Sequence, residues 1–317
     1  MKTTLYIHSE ALKCASNESE SNYKNKFCGF VKDLVFIHNM KMDDHFCVSK
    51  NLCMEPLCNG RDIFSIADET LCGDEIDILY RVLANTAQEC DLPLSQLKEL
   101  CLYHAEEAEC CTLAVLNSDK DMEKKDNPYI TFDCYEIVYG KKDWITFRRQ
   151  VLGNHPETPN RFIESCKLLF PQLFFHSNCT ESVSGYLDKI PRKIVYYLSC
   201  LNDRFVLFRE TFSSTQANDI LEGFAGKYGL DKEGSIERNA QHKKSFTYMF
   251  PVSNNLLGVA EKKVICEPHL KISKYDENYV KQRGDDEAHF NARIYFSFGD
   301  EDVVPGKILV GSIGPHI

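Results

Sequence analysis

An α+β fold is what this sequence predicts, and three observations predict it. Segments of helical period fill most of the first 116 residues, a charged stretch interrupts the chain at 117–128, and strand-like segments gather towards the C-terminal end. Runs of helices followed by runs of strands mark this class. At 317 residues the chain has length for two domains, since single cores usually split by about 250–300 residues. The expected organisation is a mainly helical N-terminal domain over 1–116, a charged linker or surface loop over 117–128, and an α+β domain over 129–317 whose C-terminal sheet is mixed or antiparallel.

Taken in order, residues 27–38 (FCGFVKDLVFIH) fit a helix or a strand, and residues 75–87 and 94–108 read as helices. In the second of these, Leu94, Leu97, Cys101 and Leu102 recur near helical spacing, and Pro93 suits a first turn. The stretch from Asn117 to Pro128 is polar and closed by proline. Beyond it, residues 129–147 alternate like a β-hairpin, with Gly140-Lys-Lys-Asp as its turn. Thr158 and Pro159 supply a cap and a first-turn proline for a helix running to about Phe170. Further helices are expected over 191–201 and over 214–228, the latter stopped by Gly229. Strands are expected over 246–250, 264–272, 292–298 and 307–313.

Hydrophobic residues at 43% and charged residues at 26% place the chain among globular proteins rather than disordered ones. No apolar run reaches the roughly 20 residues of a membrane helix, and His8, Ser9 and Glu10 interrupt the short apolar N-terminus, unlike a secretory signal. A cytoplasmic location is therefore expected, and with it reduced thiols: an odd count of 15 cysteines does not describe a disulfide framework. Cys47, Cys53 and Cys58 with His45 are the densest group, but they lack the second close pair of a zinc site, so buried apolar roles are expected and no metal or cofactor. The formal net charge of −10 repels phosphates at long range, so any nucleic-acid contact needs a local patch.

Chemistry-bearing residues concentrate in the last fifty positions. With a strand period of two, Leu270 and Ile272 share one face and leave His269 and Lys271 on the other; Ile294, Phe296 and Phe298 likewise leave Arg293 and Tyr295 opposite. If the strands adjoin, His269, Lys271, Arg293 and Tyr295 converge on an open sheet face. The final strand runs into Gly311-Ser-Ile-Gly-Pro-His316, where the two glycines permit a turn or a close approach. Such a group suits phosphodiester cleavage: Arg293 and Lys271 as phosphate clamps, His269 and Tyr295 as general acid–base groups, and His316 in support. A half-solvated sheet face carries the same residue types without any activity.

The pattern H-x-K, R-I-Y-F and I-G-P-H resembles the tail of RelE/YoeB-type endoribonuclease toxins, which implies a basic sheet acting on messenger RNA. This tail is not strongly basic, and His316 lacks an adjacent tyrosine. The same three segments, with Phe170-Pro-Gln-Leu-Phe-Phe175 upstream, are similar to the ends of uncharacterised proteins of bacterial antiphage defence islands; that likeness implies a biological setting and a protein partner.

Other motifs carry less. His269-Leu-Lys271 with Asp276 satisfies HxKxxxxD of phospholipase D-type enzymes, but a second copy is lacking. Asp133 and Glu136 lack the spacing of a PD-(D/E)xK nuclease. The doublets Arg148-Arg149, Lys243-Lys244 and Lys262-Lys263 read as solvated surface, and Phe170, Phe174, Phe175, Tyr196 and Tyr197 as core rather than a base-stacking platform. There is no GxxxxGK[ST], GxGxxG or HExxH. The sequence therefore predicts a defence protein acting as a metal-independent nuclease, on RNA before DNA; the alternative is a non-enzymatic subunit binding nucleic acid or protein, with no membrane association.

Overall fold

The structure, a computed structural model, describes residues 3–42, 44–83, 87–103, 110–114, 137–138, 140–231, 234–236, 244–252, 260–273 and 291–315. It is α+β, with parallel and antiparallel strand pairs. The chain divides into two compact units, Met1–His155 and Pro156–Ile317.

Unit 1 comprises β1 (Thr3–Ile7), α1 (Ser9–Leu12), α2 (Glu20–Met40), β2 (Asp44–Ser49), α3 (Ile63–Thr70), α4 (Asp74–Arg81), β3 (Gln88–Cys90), α5 (Leu94–Tyr103), β4 (Cys110–Ala114), β5 (Ile137–Val138) and α6 (Lys141–Asn154). Its strands form one parallel sheet in the order β3-β2-β1-β4-β5. Helices are as plentiful as the sequence predicts, but the short strands join into a sheet that local patterning does not announce. Strands buried on both faces lose their alternation, and β4, Cys-Cys-Thr-Leu-Ala, is buried at every position.

Helix α2 follows from its sequence. Ser19 caps it, accepting from the Asn22 amide, and Tyr23, Phe27, Val31, Leu34 and Ile37 make a buried stripe. Helix α6 corrects the expected hairpin. Tyr129–Glu136 lie outside the described residues, Ile137–Val138 is a strand, and Gly140 (φ 142°) begins a helix instead of a turn. Trp144, Phe147 and Val151 are spaced i, i+3, i+7 and buried, so helical period overrides the apparent alternation.

The doublet on α6 is a second correction: Arg148 and Arg149 are buried. Arg148 Nη1 donates to Thr3 Oγ1 (2.7 Å) and pairs with Asp44 Oδ1 (3.3 Å), while Thr3 Oγ1 also bonds Asp44. This trio ties α6 to the amino ends of β1 and β2.

Unit 2 comprises α7 (Pro159–Leu169), β6 (Leu173–Phe175), α8 (Asn178–Val183), α9 (Pro191–Thr211), α10 (Ala217–Lys227), β7 (Ser235–Ile236), β8 (Thr247–Pro251), β9 (Glu261–Ile265), β10 (Pro268–Ile272), β11 (Ala292–Ser297) and β12 (Ile308–Pro315). The main sheet runs β6-β12-β11-β10-β7; β6 and β12 are parallel and the other pairs antiparallel. The segment expected as one strand over 264–272 divides in two: β9 pairs with β8 in a separate hairpin, and β10 joins the main sheet.

Thr158 caps α7 with Pro159 in its first turn, and Gly229, at φ 63°, follows α10. Phe205 of α9 makes edge contacts with Phe224 of α10 and Phe296 of β11. Phe170, Phe175, Tyr196 and Tyr197 are buried, as core packing requires. The compact division falls at 155/156 rather than in 117–128, because β5 and α6 belong to unit 1.

Candidate functional site

Strands β10 and β11 are adjacent, as the convergence of their polar residues requires. In their register His269 stands opposite Tyr295 and Lys271 opposite Arg293, so all four side chains share one face. His316 lies outside the described residues.

That face is not open where His269 and Tyr295 stand. The two residues are 1% and 0% exposed. The β8–β9 hairpin packs on Tyr295: Phe246, Tyr248, Phe250, Val264 and Cys266 cluster with it, the Phe246 and Tyr295 rings lie 5.0 Å apart, and the His269 and Tyr295 rings lie 5.1 Å apart. Burial pushes the Tyr248 phenol up and the Cys266 thiol up to about 12, which describes a dry layer. A strand period of two shows which residues share a face; it does not show what covers that face. Lys271 and Arg293 are half-buried.

The contacts of His269 fix its chemistry. Nδ1 lies 3.0 Å from the Glu267 carbonyl oxygen, which can only accept, so Nδ1 carries the proton. Nε2 lies 3.0 Å from Ser235 Oγ. Ser235 is the directly opposite residue on β7. Arg293 Nη1 donates to the Tyr295 hydroxyl at 3.3 Å. On the other face, Leu270 and Ile294 are fully buried, and the Tyr197 hydroxyl donates to the Lys271 carbonyl at 3.1 Å. Ser235 was missed from sequence because the partner of His269 sits on a two-residue strand with no periodicity to mark it.

The glycines of β12 work through close approach. A Cβ on Gly311 would lie 2.4 Å from the Tyr248 ring, and one on Gly314 would lie 2.6 Å from the Ser182 carbonyl oxygen.

Unit 1 holds a second candidate location that sequence reading did not find. In its strand order β1 lies between β2 and β4, with β2 and β3 to one side and β4 and β5 to the other. Parallel α/β sheets bind ligands in the crevice outside the carboxyl ends of strands at such a switch point. At that edge the Ser9 amide donates to Ser49 Oγ (3.1 Å), and His8 Nδ1 accepts from the Glu10 amide (3.2 Å). Glu55 is held below the usual carboxylate range by a hydrogen bond from Ser9 and by Lys13. The strands that would have signalled this site are separated by helices and are too short to show a pattern of their own.

Cys47 lies on β2, opposite Tyr6 in register, and Cys58 begins a turn that Arg61 closes. Among the described residues no group of three or more His, Cys, Asp or Glu is placed to hold a metal ion. Nor is any described helix long and apolar enough to cross a membrane.

These features define a two-unit α+β protein in which one unit is built on a parallel sheet and the other on a mixed one. No protein-family model, curated protein or solved structure matches the chain.

Proposed function

We propose that this chain is a non-enzymatic binding subunit of a multi-protein bacterial defence complex, with a small polar ligand at the carboxyl edge of the unit 1 sheet. The defence setting rests on the resemblance of the tail to defence-island proteins, and the ligand position rests on the switch-point rule for parallel sheets.

The observation that carries the non-enzymatic reading is the state of His269. A general acid–base group must exchange a proton with substrate through an accessible nitrogen. Here one ring nitrogen faces the Glu267 carbonyl, the other faces Ser235, and the ring is 1% exposed. Its bonds hold β7 and the β9–β10 connection in place.

A second reading keeps a metal-independent ribonuclease on this sheet. It is favoured by Lys271 and Arg293, two cations directly opposite each other at the half-buried end of the same face. Paired cations of this kind suit a phosphate.

One experiment separates the readings. The purified protein is incubated with labelled single- and double-stranded RNA and DNA, with and without EDTA, beside a Lys271→Ala/Arg293→Ala variant. In parallel, its Tm is followed with a panel of mono- and dinucleotides. The expected result is no cleavage and a ligand-dependent rise in Tm. EDTA-resistant cleavage lost in the variant would overturn the binding reading in favour of the nuclease.

A further inference from the structure

We infer that Cys14 and Cys58 are an oxidative modification site: they close into a reversible disulfide when exposed to a peroxide, latching the segment after β1 to the turn after β2. This inference is independent of what unit 1 binds.

The backbone brings the two residues together. The Cys14 amide donates to the Leu57 carbonyl at 2.9 Å. That bond sets Cys14 against the residue that precedes Cys58 in the chain. Backbones joined by an amide–carbonyl bond lie about 5 Å apart, which falls inside the Cα separation that a disulfide spans. The Cys14 thiol itself donates to the Ala15 carbonyl at 3.4 Å, and the Cys58 thiol beside it helps to push it up.

Both partners are held from behind. The Tyr23 hydroxyl donates to the Leu12 carbonyl (2.9 Å), fixing the approach to Cys14. The turn carrying Cys58 is closed by the Leu57 amide on the Arg61 carbonyl (2.8 Å) and by the Arg61 amide on the Cys58 carbonyl (2.9 Å). Asn59 and Gly60 take positive φ values of 50° and 77° there, which keeps the turn tight. The groups around the pair are Glu18 and Lys26, whose charges act on Cys14, and Tyr23, which senses both thiols.

Exposure assigns the order of the chemistry. Cys14 is partly exposed and Cys58 is buried, so peroxide reaches Cys14 first. The Cys14 thiolate attacks the peroxide; an S–O bond forms as the O–O bond breaks, and the departing hydroxide takes a proton to become water. Cys58 then attacks the resulting sulfenic acid. The S–S bond forms as the S–O bond breaks, and a second water leaves with the proton of Cys58. The sulfur pair loses two electrons and the peroxide gains them. A dithiol reductant reverses the change. The closed latch would join the connections leaving β1 and β2 at the carboxyl edge of the sheet.

The test treats the full-length protein with hydrogen peroxide, blocks remaining thiols under denaturing conditions without reductant, and maps the peptides by mass spectrometry. The expected product is one cross-linked pair joining Cys14 to Cys58, lighter by a pair of hydrogen atoms and restored by dithiothreitol. In Cys14→Ser, shown folded by circular dichroism, Cys58 should remain alkylatable after the same treatment. Recovery of both cysteines as free thiols from oxidised wild type, a cross-link from Cys14 to any other cysteine, or Cys14 sulfinic acid beside reduced Cys58 would overturn the inference.

Discussion

Replacing His269 with alanine removes the ring contact with the Ser235 hydroxyl and the donor to the Glu267 carbonyl inside a buried layer. A cavity adds to the lost bonds, so the expected cost is about 2–4 kcal/mol in urea unfolding. The ligand-dependent Tm rise proposed for unit 1 should survive the change. A variant with unchanged stability would mean that His269 does not hold the sheet. Arg148 makes a parallel case in unit 1. Arg148→Ala leaves Asp44 buried without its cation, at a cost of roughly 3–5 kcal/mol; equilibrium unfolding would measure it. Neither residue declares its surroundings in the sequence. His269 has a chemistry that suits catalysis and Arg148 one that suits solvent, and only the segments that cover them decide otherwise.

At the scale of elements, β12 was readable in outline, and its glycines have the close approaches that the sequence allowed. Gly314→Ala sets a Cβ against the backbone carbonyl of Ser182 on α8, which cannot swing aside. The expected loss is about 1–3 kcal/mol, and thermal unfolding would show it as a lower Tm. The latch makes a prediction that depends on pH. Burial first, then Cys58 and Glu18, push the Cys14 thiol up to about 11, against the lowering effect of Lys26. Since only the thiolate attacks peroxide, disulfide formation should be slow near neutrality and accelerate up to about tenfold per pH unit until that value. A flat rate profile, followed by alkylation and mass spectrometry, would count against Cys14 as the attacking sulfur. Helices α7, α9 and α10 were legible through caps, a first-turn proline and a glycine stop, whereas residues 27–38 of α2 fitted a helix or a strand. Helix α6 was not, because a short stretch around Trp144 and Phe147 fits either period until its neighbours are known.

For the molecule as a whole, the division at 155/156 predicts that residues 156–317 fold without the rest. The fragment should melt cooperatively by circular dichroism, since its sheet and the hairpin over it draw all their described strands from within this unit. A non-cooperative melt would show that the C-terminal core needs unit 1. By itself the sequence determined the α+β class, five of the ten described helices, the C-terminal strands in outline and the shared face of His269, Lys271, Arg293 and Tyr295, because period, caps and glycine stops act over a few residues. The tertiary structure alone decided that the unit 1 strands form a parallel sheet, that His269 and Arg148 are buried and that the Cys14 amide reaches the Leu57 carbonyl. Each of these joins residues far apart in the chain, and the burial that sets the chemistry of a side chain belongs to the segments folded over it.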